Sequence, residues 1–335
     1  MSEHFLKHKV VVVTGASSGV GRAISRAAAR QGARVALLAR GIDGLNATAA
    51  EVQALGGESL VCRLDLGQAS EVDAAAERIV AHWGGIDVWV NNAMVSVFAP
   101  IEKTQPSEYR RVLEVNFLGT VHGTLAALRF MRPAGSGVIV QIGSALAYRS
   151  IPLQGAYCAS KAAIRGFTDS LRSELVHEES PIRVTTLELP AVNTPQFEMV
   201  RNRLGKHARP VGVIYQPEVA ARAFLYAVEH PPRELWIGWS TIKAILGQLF
   251  LPGLLDRYLA RAAWDEQTTD ALPPPHRDNL DAPLPGDRGA HGPFDAEAKT
   301  SSAELWLRTH ARALLFGAAA LVMAGFAVRR SLAET

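Results

Sequence analysis

Lys9 to Thr14 carries the β-branched run Val10-Val11-Val12-Val13-Thr14, and it passes directly into Gly15-Ala16-Ser17-Ser18-Gly19-Val20-Gly21. An alanine-rich stretch follows, Arg22-Ala23-Ile24-Ser25-Arg26-Ala27-Ala28-Ala29. A continuous β-branched run that stops abruptly reads as a buried strand. The alanine-rich stretch reads as a helix. Gly15 permits a tight turn, Gly19 lets backbone approach a pyrophosphate, and Gly21 lets the helix pack closely on the strand. Free N–H groups at the helix start then face the phosphate. A glycine-rich loop alone says little, but this flanking strand and helix make a nucleotide the expected ligand. Gly15, Ser17, Ser18, Gly19, Val20 and Gly21 are therefore candidate cofactor contacts.

The alternation continues. Strands are expected at Ala33 to Ala39, Ser59 to Leu64, Ile86 to Val90, Gly137 to Ile142 and Arg183 to Leu189. Helices are expected at Asp43 to Leu55, Ser70 to Trp83, Ser107 to Met131 and Tyr157 to Val176. Repeated β-α-β units with apolar strands predict an α/β fold, a doubly wound parallel sheet covered by helices on both faces. Pro217 to Val228 reads as a further helix and Glu234 to Ile237 as a last strand. At 335 residues the chain is long enough for one large core. The net charge of +3 and the absence of a long basic run argue against a nucleic-acid surface. Cys62 and Cys158 give neither metal spacing nor a disulfide framework, which suits a reduced cytosolic catalytic domain. Met1 to Lys9 is polar, with no secretory signal pattern.

The second expected strand ends Ala39-Arg40. An acid there would hydrogen-bond the ribose hydroxyl of NAD, whereas Arg40, with Arg22 or Ser17 nearby, suits a 2′-phosphate. NADP(H) is thus expected over NAD(H). Further on, Tyr157 and Lys161 lie four residues apart, so both emerge on one helix face. An ammonium close to a phenol favours the phenolate, which makes Tyr157 a candidate proton donor.

The glycine turn, Asn91-Asn92-Ala93, Asn116, Ser144, Tyr157 and Lys161 stand in one order. Together they resemble the short-chain dehydrogenase/reductase (SDR) family over about residues 7 to 240. The resemblance implies a Rossmann-type sheet with one further strand and a site at the carboxyl ends of the strands. It implies Tyr157 as general acid/base, and Lys161 on the nicotinamide ribose, lowering the Tyr157 pKa. Ser144 would hydrogen-bond the substrate oxygen, and Asn116 would support a water-linked relay to Lys161. Asp65 would meet the adenine amino group, Asn92 would hold the fourth strand beside the cofactor, and Thr194 would contact the carboxamide. The chain departs from the family pattern at Met94 and Ala191, where glycine is usual. The implied activity is hydride transfer between NADP(H) and a carbonyl/alcohol pair, often in dimers or tetramers. The alternatives are a nucleotide-sensing scaffold without turnover, or a lyase or epimerase using bound cofactor.

The rest of the chain divides by composition. Residues 1–240 form the catalytic unit, in which the irregular Gln196 to Val213 would be a substrate lid. Residues 241–265 are an apolar helical extension that could cover the site mouth, meet a partner, rest on a membrane or simply pack. Residues 266–302, opening with Pro273-Pro274-Pro275, read as a flexible polar linker. Residues 303–335 turn helical again. Ala313 to Val328 is uncharged and apolar, flanked by arginines, and spans about 24 Å as a helix against a hydrocarbon core of about 30 Å. A C-terminal membrane anchor is expected there, with arginines snorkelling at both ends, and a buried or oligomer-forming helix is the alternative. An anchored enzyme would favour lipid-like, steroid-like or long-chain carbonyl substrates.

Overall fold

The computed structural model describes residues 4–273 and 278–311. Seven parallel strands form the central sheet. They are β1 (Val10–Thr14), β2 (Arg34–Ala39), β3 (Glu58–Arg63), β4 (Val88–Asn91), β5 (Val138–Ser144), β6 (Arg183–Leu189) and β7 (Glu234–Trp236). Their order is β7-β6-β5-β4-β1-β2-β3. The chain therefore winds outward from β1 to β3, crosses back and winds outward the other way from β4. Between β1 and β4 the winding reverses, and in open sheets of this kind ligands bind at the carboxyl ends beside such a reversal.

Helices α1 (Gly19–Arg30), α2 (Ile42–Ala54) and α8 (Pro217–Glu229) cover one face; α3 (Ala69–Trp83) and α5 (Gly119–Ala134) pack on each other over the opposite face. The inner strands are buried on both sides because each faces a helical layer on either face, while the edge strands β3 and β7 are only partly covered. Val11, Val13 and Leu37 belong to one apolar cluster, Val12, Ala36 and Leu38 to the other, which is the period-two alternation of a strand between two cores. A buried polar network fixes α5 to the sheet. Trp89 Nε1 donates to Asn91 Oδ1 at 2.8 Å, and Asn91 Nδ2 donates to Thr124 Oγ1 and Gln141 Oε1, each at 3.0 Å.

The long helix expected from Ser107 to Met131 is broken. Helix α4 (Pro106–Leu113) leads into a five-residue π-helical turn, Glu114–Leu118, before α5 begins. The widened turn turns Asn116 inward, where it is fully buried. Such turns occur often at functional sites.

Two helices, α9 (Trp239–Phe250) and α10 (Pro252–Asp265), occupy the apolar extension, and Pro252-Gly253 separates them. One side of the pair covers the sheet's carboxyl end, and Arg149 ties it down through Gln248 and Asp256. Its other side leaves Leu249, Phe250 and Leu254 exposed. The Pro/Gly-rich stretch does not behave as a free linker where it is described. Residues 278–299 run as a strap across the outer side of the cleft, with Leu280 and Phe294 buried. Lys299 closes the strap by exchanging backbone hydrogen bonds with Ile214 and Gln216, at 2.9 Å each. A final helix begins at residue 303 and is described to 311. No helix among the described residues is long and apolar enough to cross a membrane, and the expected anchor, Ala313 to Val328, lies outside them.

Candidate active site

A cavity of about 550 Å³ runs along the carboxyl ends of the strands, from Gly15 at one end to Ser144, Tyr157 and Lys161 at the other. Its outer end is the glycine turn. Gly15 and Gly19 both have positive φ, +66° and +56°. A Cβ on Gly15 would lie 2.8 Å from the Ala93 backbone, and one on Gly21 would lie 2.3 Å from the Gly15 carbonyl oxygen. These contacts explain why the first and third glycines tolerate no side chain. Ser17, Ser18, Gly19 and Val20 line the cavity. The Ser18 side chain caps nothing in α1, which leaves its hydroxyl available.

Asn92 locks β4 to β1. Its backbone N–H donates to Thr14 Oγ1 and its Nδ2 to the Thr14 carbonyl, both at 2.8 Å. Thr194, 6 % exposed, packs against Gly19. Asp65 lines the cavity beside Arg111, with which it is ion-paired. Burial would raise its carboxyl, but Arg111 and the Gly67 N–H hold it below the usual range.

The two arginines expected at a 2′-phosphate are both engaged. Arg22 pairs with Glu51 and with Asp287 of the strap. Arg40 donates to the carbonyl oxygens of Asn279, Leu280 and Asp281. The sequence placed Arg40 at the correct end of β2 but gave no hint of these partners, which lie some 240 residues further along the chain.

At the inner end, β5 ends on Ser144 and helix α6 (Gly155–His177) presents Tyr157 and Lys161 one turn apart. The Tyr157 phenol and the Ser144 hydroxyl both line the inner end of the cavity, close enough for the serine to favour the phenolate. Ser144 Oγ accepts the Leu146 N–H at 3.1 Å. Lys161 Nζ donates to the Ile142 carbonyl at 2.6 Å and lies 5.7 Å from the centroid of the Tyr157 ring. Asn116 is spent on structure. Its carboxamide bridges the Val95 N–H and C=O, and its Nδ2 donates to Ser160 Oγ at 3.0 Å. Ser160 in turn donates to the Tyr157 carbonyl at 2.7 Å. Asn116 thus reaches the Tyr157 backbone through one serine.

The expectation that Lys161 acidifies Tyr157 does not describe this arrangement. Burial pushes the phenol well above the ordinary tyrosine range; the Ser144 hydroxyl opposes this, and Cys158 and Glu188 add to it. The ammonium lies 5.7 Å from the ring centroid and donates to the Ile142 carbonyl. Burial also lowers Lys161 to about 8, against the pull of Glu188.

Glu188 was missed by sequence reasoning. It sits on β6, 1 % exposed, opposite Gly143 in the register. A Cβ on Gly143 would lie 2.4 Å from Glu188 Oε2, so the glycine makes room for the carboxyl. The carboxyl faces the Ser144 backbone without a hydrogen bond of ordinary geometry. Burial raises it to about 8, helped by Glu234 and opposed by Lys161. Its neighbour Glu234 accepts from the Tyr148 hydroxyl at 2.6 Å and from Trp236 Nε1 at 3.0 Å.

The substrate-side walls are apolar. Phe197 and Met199 come from the short helix α7 (Gln196–Met199) in the segment expected as a lid, Leu255 and Tyr258 from α10, and Phe98 and Leu146 from the segments that follow β4 and β5. Part of the extension therefore lines the cavity. Cys158, next to Tyr157, is buried, and burial raises its thiol.

Comparison with known proteins agrees with this layout. The family described as short chain dehydrogenase matches residues 9–204. The chain is 37 % identical over 266 residues to the Bacillus subtilis protein called Uncharacterized oxidoreductase YxnA, covering 78 % of this chain and 74 % of that one. Among solved structures, it is similar to an alcohol dehydrogenase from the archaeon Thermococcus sibiricus complexed with 5-hydroxy-NADP. That likeness has a TM-score of 0.60 and 30 % identity, over 68 % of this chain and 95 % of the other. A metagenomic short-chain oxidoreductase in complex with NADP gives a TM-score of 0.60 at 29 % identity, over 69 % of this chain and 97 % of that one. An NAD+-bound xylitol dehydrogenase gives 0.54 at 29 %, over 56 % and 72 %. With a family match over more than half its length and a fold shared with these enzymes, the chain belongs to the short-chain dehydrogenase family.

Proposed function

We propose that this oxidoreductase transfers a hydride between NADP(H) and an apolar carbonyl/alcohol substrate, with Tyr157 as general acid/base. The observation that carries the reading is the juxtaposition of the Ser144 and Tyr157 hydroxyls at the inner end of a cavity that begins at a glycine turn suited to phosphate. The cavity suits a nicotinamide dinucleotide. Gly15, Gly19 and Gly21 make a cradle that a Cβ would fill, and Ser17, Ser18 and Val20 border it. Asp65 stands at the adenine end and Thr194 near the middle. When bound, the nicotinamide supplies or takes the hydride.

The protein's part is to bind, orient and move a proton. Ser144 and Tyr157 aim two O–H groups at the position of the substrate oxygen, which gains negative charge during reduction. Tyr157 keeps its proton at neutral pH, because burial raises the phenol, and gives it to that oxygen. Lys161 is held by the Ile142 carbonyl and keeps a cation under the reacting centre. Asn116 and Ser160 fix the turn of α6 from which Tyr157 projects. Phe98, Phe197, Met199 and Leu255 exclude water and favour apolar substrates.

NADP(H) is preferred on two grounds. Arg40 replaces an acid at the end of β2, and NADP or a derivative accompanies two of the similar structures. The test is a panel of aliphatic, cyclic and aromatic carbonyls offered with NADPH and with NADH, following nicotinamide absorbance. Consumption of NADPH with an apolar member, faster than with NADH, is the expected result. No consumption with any carbonyl, and no reduction of NADP by the matching alcohols, would remove the reading.

A further inference from the structure

The strap lies along the whole outer side of the cavity. Near the end of β2, Arg40 and Arg111 hold the carbonyl of Leu280, and Arg201 pairs with Asp278 and Asp281. Further on, the Gly286 N–H donates to Asp43 Oδ2 at 2.7 Å, and Asp287 pairs with Arg22. The Gly289 carbonyl accepts the Gly19 N–H at 3.1 Å, at the glycine turn itself. Gly292 then passes so close to Thr194 that a Cβ there would lie 2.4 Å from its carbonyl oxygen. Past this point Phe294 and Asp295 are fixed by Asn193.

Within residues 278–292, Arg288 is the cation left without an ion pair. Arg288 lines the cavity between the contacts at Asp43 and Gly19. Among the described residues it forms no ion pair, its Nε is buried without a partner, and one NH2 group reaches the Pro285 carbonyl at 3.3 Å. Arg22 and Arg40, the cations of the N-terminal half, are meanwhile neutralised or capped by the strap. A half-buried guanidinium beside the glycine turn, with its Nε enclosed and donor capacity unspent, is suited to a phosphate oxygen.

We infer that residues 278–292 are the outer wall of the dinucleotide site and that Arg288 is the cation that meets the cofactor's phosphates. The site is then assembled from both ends of the chain. The glycine turn supplies the backbone N–H groups that remain once Gly19 has donated to the Gly289 carbonyl, and the strap supplies the charge. This rests on the proposed nicotinamide dinucleotide, but not on any particular substrate.

Dinucleotide binding to the full-length protein, read by quenching of tryptophan fluorescence without substrate, tests it. Arg288→Gln should weaken the Kd for NADPH about tenfold, the scale of one lost charge-assisted hydrogen bond. Hydrogen exchange of peptides within 278–292 should slow when NADPH is added to the unaltered protein. In the dinucleotide-free Arg288→Gln protein it should match the unaltered one. A Kd within about twofold of the unaltered protein would overturn the inference. So would strap exchange that NADPH leaves unchanged, or a strap already loosened in the free variant, since the arginine would then act on folding alone. If the unaltered protein binds neither NADPH nor NADH, the proposed function falls and takes this inference with it. Normal binding with an unaffected variant removes only the role of Arg288.

Discussion

Burial sets the chemistry of Tyr157, Lys161 and Glu188 more than their mutual charges do. Glu188 has its carboxyl raised from 4.5 to about 8, chiefly by burial. A carboxyl raised in the folded state stabilises the fold below its unfolded value, and that contribution is lost as pH rises through the folded one. The protein should therefore lose stability between about 4.5 and about 8 through this group. Glu188→Gln keeps the shape and removes the titration. Its urea midpoint should fall less over that window than that of the unaltered protein; an identical pH profile would show that Glu188 does not titrate there. Lys161 acts with the opposite sign higher up, because its lowered value makes stability rise from about 8 toward 10.5. Ser144→Ala removes one of two donors to the substrate oxygen. It should cut kcat/KM by about 10²- to 10³-fold with dinucleotide affinity kept, the usual cost of one such donor. Tyr157, Lys161 and Ser144 were legible because local spacing and order mark them. Glu188 was not, since Thr-Thr-Leu-Glu-Leu reads as an ordinary strand and its importance comes from Gly143 on the neighbouring strand.

Among the elements, the strand, turn and helix at the start were the most legible, because each glycine has a local steric reason. Gly21→Ala puts a Cβ 2.3 Å from the Gly15 carbonyl, which is backbone and cannot swing aside. It should cost about 1–3 kcal/mol, the usual cost of overpacking, and lower Tm accordingly. An unchanged Tm would mean that α1 can move off β1. The sheet strands were placed within a residue or two because buried parallel strands are short apolar runs. The π-helical turn at Asn116 was invisible, since its cause is a carboxamide bridging Val95 from another segment. The strap was misread for a related reason. Its composition is that of a linker, and its contacts are made with residues some 240 positions away. Leu280 and Phe294, apolar residues in a polar stretch and both buried, were the local signal.

Among the described residues, the sheet's carboxyl edge, α9 and α10, and the strap line one cavity that runs from the glycine turn to Ser144 and Tyr157. The N-terminal half brings the glycine turn, the centre brings Ser144, Tyr157 and Lys161, and the C-terminal quarter closes the walls. The β-α alternation indicated the α/β fold, the ordered motifs an enzyme and composition an extension; enclosure by that extension emerges only when distant segments are brought together. The central claim is that Tyr157 moves the proton while a separate cradle holds the dinucleotide. Its most direct test is single-turnover oxidation of bound NADPH by a carbonyl from the panel, with Tyr157→Phe beside the unaltered protein. The account predicts a rate lower by about 10²- to 10⁴-fold with NADPH affinity retained, the span of a lost general acid. Equal rates in the two proteins would contradict it.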